Sequence, residues 1–191
     1  MTRIRYTSAD LERLPDDEWH RFEIIDGELF VTKAPREWHQ VVSGELWSWL
    51  RDWNRETGGG FAFIAPGVIF ADDDDVIPDL IWVSTDQYAR IHGSDGHFHG
   101  APELVVEILS PGSANERRDR TIKLGLYSRR GVLEYWLVDW QLRLIDIYRR
   151  EGEELRLVAT LLEGNALDSP LLPGFSRPVS ALFAGIPATE G

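Results

Sequence analysis

Two acids interrupt segments that otherwise read as core. Asp79 stands in Ile77-Pro78-Asp79-Leu80-Ile81-Trp82, and Glu107 stands in Val105-Val106-Glu107-Ile108-Leu109. A buried carboxylate without a partner costs on the order of several kcal/mol or takes up a proton, so something must compensate each of them. A single acid of this kind usually lies at a strand end and meets solvent or an arginine. Two together suit another arrangement, in which paired carboxylates converge at a sheet edge on a hard cation such as Mg²⁺. Such an ion takes oxygen ligands and keeps waters for a phosphate substrate.

A lysine joins the two acids. Lys33 and Lys123 are the two lysines among 20 basic residues; the rest are arginines. At about 100° per residue, Asp119, Ile122, Lys123, Leu126 and Tyr127 share one face of a helix, so Lys123 points along the apolar side. It snorkels past the apolar side chains to water, or pairs with Asp119 four residues earlier, or supplies an ammonium to the acids. Lys33, near Pro35, reads as an exposed and replaceable side chain.

The elements that position these groups follow from hydrophobic period and turn chemistry. Residues 8 to 20 read as a short helix entered at Ser8 and ended by Pro15. Asp26-Gly27, between Phe22–Ile25 and Glu28–Val31, is a hairpin signal. From Arg36 to Arg55, Val42, Leu46, Trp49, Leu50 and Trp53 make one helical stripe, flanked by His39 and stopped by Gly58-Gly59-Gly60. Strands are expected at Phe61–Ala65, Gly67–Phe70 and Asp79–Val83, and Asp72–Asp75 reads as a solvated turn. Ser84–Gly100 reads as a polar loop, and the apolar run Leu104–Leu109 as a strand buried on both faces. Ser113-Ala114-Asn115-Glu116 is a capping-box signature for a helix to Arg130. Leu133–Val138, Arg143–Tyr148 and Leu155–Leu161 complete the strands. The order, roughly β-β-α-β-β-β-β-α-β-β-β, implies an α/β or α+β fold in which helices flank a sheet. Residues 1–191 read as one domain, with residues 164–191 as a tail that wraps its surface.

Composition narrows the function. The 43 % hydrophobic content over 191 residues is enough for a real core and excludes a disordered chain. Zero cysteines exclude disulfides, thiolate zinc, iron–sulfur clusters and a cysteine nucleophile. No apolar run is long enough to span a membrane, and Met1 to Asp10 has no signal-peptide core, so a cytoplasmic protein without membrane contact is expected. The net charge of −12 argues against a protein that coats nucleic acid, while leaving contact at a small site open.

Ile77-Pro78-Asp79-Leu80, Pro102-Glu103-Leu104-Val105-Val106-Glu107-Ile108-Leu109-Ser110-Pro111, Asp119 with Lys123 and Tyr127, and Gly131-Val132-Leu133-Glu134-Tyr135-Trp136-Leu137-Val138-Asp139 together resemble the Uma-type family of restriction endonucleases. Phe22–Leu29 and His39 fit the same pattern, and the likeness spans about residues 10 to 185. It implies the PD-(D/E)XK nuclease superfamily, a restriction-endonuclease-like core with a mixed central sheet, and Mg²⁺ or Mn²⁺ held by Asp79 and Glu107. The usual lysine position, two residues after the glutamate, is Leu109 here, and the resemblance moves that role to Lys123 on the following helix. Glu23 is carried over as a further carboxylate or a water-holding group.

The resulting expectation is a metal-dependent endonuclease that hydrolyses DNA phosphodiester bonds and binds DNA weakly unless metal is present. Two alternatives stay open: an inactive nuclease-fold module that binds nucleic acid or protein, favoured by Leu109 and the charge, and a carboxylate-pair hydrolase that needs no metal. Homodimerisation is also left open. Arg117, Arg118, Arg120, Arg129 and Arg130 either hold DNA phosphates or balance the acids. His92, His97 and His99 invite zinc, but a mobile polar loop is the expected reading.

Overall fold

The computed structural model describes residues 4–14, 20–33, 36–110, 112 and 116–187. Asp26 and Gly27 both take left-handed backbone, φ 52° and 72°, which is what a tight two-residue reversal needs. They join β1 (His20–Ile25) to β2 (Glu28–Lys33) in register from Ile25↔Glu28 to His20↔Lys33. Helix α2 (Glu37–Thr57) follows, burying Val42, Leu46, Trp49, Leu50 and Trp53 as one stripe, and it stops where Gly58 turns left-handed at φ 68°.

The remaining strands are β3 (Gly60–Ile64), β4 (Val68–Ala71), β5 (Asp74–Val76), β6 (Leu80–Ser84), β7 (Leu104–Ile108), β8 (Glu134–Asp139), β9 (Leu144–Glu151), β10 (Glu154–Leu162), β11 (Ala166–Asp168) and β12 (Ser176–Pro178). The helices besides α2 are α1 (Ser8–Leu11), α3 (Thr85–Ile91), α4 (Leu124–Arg130) and α5 (Val179–Leu182), and a π-helical segment, Arg118–Lys123, runs into α4. Six strands form the central sheet in the order β10-β9-β8-β7-β6-β3, and a four-stranded sheet β2-β1-β5-β4 stands beside it. Only β7 and β8 pair in parallel; the other neighbours of the central sheet are antiparallel. The fold is therefore mixed α+β, with a mixed sheet and helices on its flanks.

Every residue of β7 and β8 is buried, and alternation along the strands divides their side chains between two cores. Leu80, Trp82, Leu104, Val106, Ile108 and Trp136 face α2. Ile81, Val83, Val105, Leu109, Tyr135 and Leu137 face Leu126 and Tyr127 of α4. Glu107 falls between Val105 and Leu109 in this alternation, on the α4 side. Residues 164–187 also enter the first core, through Leu167, Leu172, Phe175, Val179, Leu182 and Phe183. Ser169 Oγ and Trp136 Nε1 donate to the buried Glu134, which ties this segment to β8.

Several local expectations change. The first helix is one turn, Ser8–Leu11, capped by Thr7 and Asp10; Pro15 lies outside the described residues, as do Ser113, Ala114 and Asn115 of the capping signature. The expected polar loop contains α3, capped where Ser84 Oγ accepts from Gln87 N, and its Tyr88 stacks on Phe63. Asp72–Asp75 is no simple solvated turn: Asp74 is fully buried in β5, and its carboxylate accepts from Arg130 Nε at 2.8 Å and Asp26 N at 2.7 Å. No helix of the described residues is long and apolar enough to cross a membrane.

Because Phe183 is 1 % exposed within the first core, Phe183→Ala should lower stability by about 3–5 kcal/mol in urea unfolding. A loss below about 1 kcal/mol would mean that the C-terminal segment lies on the core without being part of it.

Candidate functional site

Asp79 sits at the junction of β5 and β6. The β6–β7 register, Leu80↔Val106, carries it alongside Glu107 and Ile108. Its Oδ2 accepts from Ile108 N at 2.8 Å and from His39 Nε2 at 2.9 Å, while among the described residues Oδ1 has only the Arg21 guanidinium, at 3.4 Å. A carboxylate can only accept here, so the His39 hydrogen stands on Nε2. Burial pushes the Asp79 carboxyl up, but the hydrogen bond and charge of His39, the Lys123 ammonium and the Ile108 N–H outweigh it and hold the group below its ordinary value.

Glu107 is 2 % exposed and is met from the helix side. Its Oε1 accepts from Lys123 Nζ at 2.9 Å and from Tyr127 Oη at 2.5 Å. Lys123 Nζ is also 2.9 Å from Oε1 of Glu23, whose carboxylate accepts from Ile77 N at 2.9 Å. Strand β1 thus brings Glu23, the π-helical segment Lys123, and β7 Glu107 to one point. Burial raises the Glu107 carboxyl to about 8; Lys123 opposes this, and Asp79, Asp119 and Glu23 reinforce it. Burial alone would push Lys123 down, yet Glu107, Glu23 and Asp119 carry it above its ordinary value, so it stays an ammonium.

Asp79, Glu107, Lys123 and Glu23 all line one cleft of about 430 Å³. Around them stand groups to which the sequence alone assigned little. His39, placed by the sequence on the flank of the helical stripe, is 5 % exposed and bonded to Asp79, and its Nδ1 is buried without a partner among the described residues. Asp119, 1 % exposed, is held by Arg118 Nε at 2.8 Å and neighbours Lys123 electrostatically. Lys33 is exposed as expected, but it too lines the cleft, so it is no inert control for Lys123. Leu109 is 4 % exposed and packed in the second core, where an ammonium would lose both water and partners. The arginines of the helix are engaged: Arg118 with Asp119, Arg120 with Asp139 and Asp146, Arg129 with Asp26, and Arg130 with Asp74. For these four, the balancing of acids is what the geometry displays.

No group of three His, Cys, Asp or Glu side chains among the described residues is arranged to chelate an ion, and His99 pairs with Asp95 at 2.9 Å. The zinc reading of the histidines therefore has no support. Asp79 and Glu107 make a different donor set: two hard oxygen ligands, one immediately before β6 and one on β7, in a cluster where four buried acids, with Glu23 and Asp119, face the buried Lys123 and the partly exposed Arg118. Glu107, raised to about 8 first by burial and then by its acidic neighbours, is a group that a divalent charge would ionise. Two carboxylates with room for waters fit Mg²⁺ or Mn²⁺.

A family model named Uma2 and described as "Putative restriction endonuclease" matches residues 8–180. A crystal structure of "a putative nuclease belonging to DUF820" from Anabaena variabilis is similar with a TM-score of 0.75 at 21 % sequence identity, over 93 % of this chain and 97 % of that chain. The fold is shared with that protein. The type IIG restriction endonuclease BpuSI gives a TM-score of 0.43 at 13 % identity, over 76 % of this chain and 16 % of that chain, and carries no argument. A search of curated proteins gives no match.

The raised Glu107 carboxyl makes stability depend on pH. Between the ordinary value of 4.5 and about 8 the folded chain holds a proton that the unfolded chain has released. The stabilisation is complete below the lower value and is lost as pH rises through the upper one. Asp119, also raised by burial, adds the same sign; Asp79, held low, acts only below its ordinary 3.8. In urea melts with EDTA, stability should fall from about pH 5 to about pH 8, and Glu107→Gln should flatten most of that slope. An unchanged slope in Glu107→Gln would remove Glu107 as its source.

Proposed function

We propose that this chain, which belongs to the Uma2 family, is a Mg²⁺- or Mn²⁺-dependent endonuclease that hydrolyses phosphodiester bonds of DNA. One observation carries the reading: an acid at the entry to β6, an acid on the adjacent β7 and a buried ammonium meet in a single cleft, with Lys123 Nζ 2.9 Å from Glu107. Asp79 and Glu107 would hold the ion. When bound, it supplies Lewis-acid stabilisation of charge developing on the phosphoryl oxygens.

The chain's own residues do the rest. His39 and the Ile108 N–H lock Asp79 Oδ2, which leaves Oδ1, with its long 3.4 Å contact to Arg21, as the oxygen for an ion. Tyr127 and Lys123 both bond Oε1 of Glu107 and fix that carboxylate in turn. Lys123 is preorganised by Glu23 and Glu107, and its fixed positive charge stabilises negative charge in the transition state without having to reorient. The cleft lining also suits a polyanion. Five basic side chains, Arg21, Lys33, Arg36, Arg118 and Lys123, stand there against the three acids Glu23, Asp79 and Glu107, in a chain whose net charge is −12.

The second reading, a binding module without activity, rests on Leu109. The position of Lys123 beside Glu107 weighs against it, because the charge missing at 109 is present in the same pocket from another element.

Plasmid nicking in Mn²⁺ tests the proposal. Wild type should cleave and EDTA should stop it; Asp79→Asn should abolish cleavage together with Mn²⁺ binding in calorimetry. Lys123→Met should lower cleavage by about two to three orders of magnitude, the scale of losing one preorganised electrostatic stabiliser. Lys123→Arg should rescue little, since a guanidinium does not fit a point-charge site between two carboxylates. Metal binding without cleavage in the wild type would favour the binding module.

A further inference from the structure

The charge of −12 repels DNA at long range, so a duplex can be held only where basic side chains are concentrated and not already neutralised. The π-helical segment and α4 do not offer such a place, and the exposed Arg117 just before them does not line the cleft. Arg118, Arg120, Arg129 and Arg130 each make an ion pair at 3.2 Å or less with a carboxylate, and four of the five acids, Asp74, Asp119, Asp139 and Asp146, are themselves buried. Turning Arg118, Arg120 or Arg130 to a phosphate would strand buried charge; the Arg129–Asp26 pair is exposed, but Arg129 does not line the cleft.

The opposite lip differs. Lys33 ends β2 and Arg36 immediately precedes α2; both are exposed, and among the described residues neither has an ion-pair partner. Arg21 on β1 is partly exposed, and its carboxylate contact, with Asp79, is a long 3.4 Å. All three line the cleft that holds Asp79 and Glu107. Arg36 is three residues before His39, a rise of about 4.5 Å along the helix, and His39 touches Asp79. The start of α2 has no side-chain cap, so the orphan N–H groups of a 21-residue helix add positive potential to that lip.

We infer that Lys33 and Arg36, assisted by Arg21, form a phosphate-binding lip that holds the DNA backbone against the Asp79–Glu107 site, and that the arginines of α4 and the preceding π-helical segment take no part. This inference rests on the nuclease reading above. It assigns the contacts that place the substrate, as distinct from the groups that act on it.

Anisotropy of a labelled, hydrolysis-resistant phosphorothioate duplex, titrated in Mg²⁺ at rising NaCl, tests it. Each phosphate contact contributes about 0.9 to the slope of log K against log salt. Lys33→Ala/Arg36→Ala should therefore reduce the slope by about 2 and weaken binding at least about tenfold at low salt, with Mn²⁺ calorimetry and the thermal melt unchanged. Arg90→Ala, which removes an exposed arginine away from the cleft, should bind as the wild type does. A wild-type slope in the double variant overturns the lip and leaves the nuclease reading standing. A wild type that binds Mn²⁺ but no duplex overturns both.

Discussion

The Lys123 ammonium, 2 % exposed and 2.9 Å from both Glu23 and Glu107, is the interaction on which the site depends. Desolvating one ammonium and two carboxylates costs far more than an exposed pair would, and only close mutual contact returns that energy. Each partner must therefore come from a rigid element. Glu23 is in a hairpin strand closed by two left-handed residues, Glu107 in a strand buried on every residue, and Lys123 on a helical segment packed against that strand. The cores on both faces of the central sheet hold these three backbones in register. Hydrophobic burial thus supplies the energy that keeps a polar cluster together which could not assemble alone.

The cluster is not electrically balanced. The buried Glu23, Asp79, Glu107 and Asp119 outnumber the buried Lys123 and the partly exposed Arg118, and burial, reinforced by the acidic neighbours, raises the Glu107 carboxyl to about 8. The second carboxylate goes the other way: burial acts on Asp79 too, but His39 and the Ile108 N–H hold it low. Two acids a strand apart are thereby pushed in opposite directions by their surroundings. A surplus of buried negative charge is unfavourable in a purely structural cluster, and it is what a cation-binding pocket needs before the cation arrives.

Arginine pairing gives the rest of the surface its character. Eighteen arginines in an acidic chain look like a supply of phosphate contacts, yet those nearest Lys123 anchor Asp119, Asp139, Asp146, Asp26 and Asp74. The Arg130–Asp74 pair ties the end of α4 to the smaller sheet. These charges act as internal links between elements, and the cleft's basic side chains without an ion-pair partner among the described residues stand on β2 and at the start of α2.

Much of this was legible in the chain because local rules and chemistry agreed. Asp26-Gly27 demands a reversal, the stripe from Val42 to Trp53 demands a helix, and an acid inside Val105–Leu109 demands a compensating partner whatever the fold. The helical spacing of Asp119, Lys123 and Tyr127 likewise put them on one face before any neighbour was known, and the family motifs joined them to Asp79 and Glu107. What the sequence could not decide were pairings across long separations. His39 meets Asp79 forty residues away, and Asp74 meets Arg130 fifty-six residues away. Nor could it show that α3 forms in a polar segment: the Ser84 and Gln87 cap was readable, but the aromatic contact of Tyr88 with Phe63 is tertiary. The same holds for the Arg118–Lys123 π-helical turn and for the use of each arginine. Local backbone preference and hydrophobic period act over a few residues and survive in the sequence. Which charges neutralise each other depends on distances of a few ångströms that exist only once the sheet has brought distant strands together.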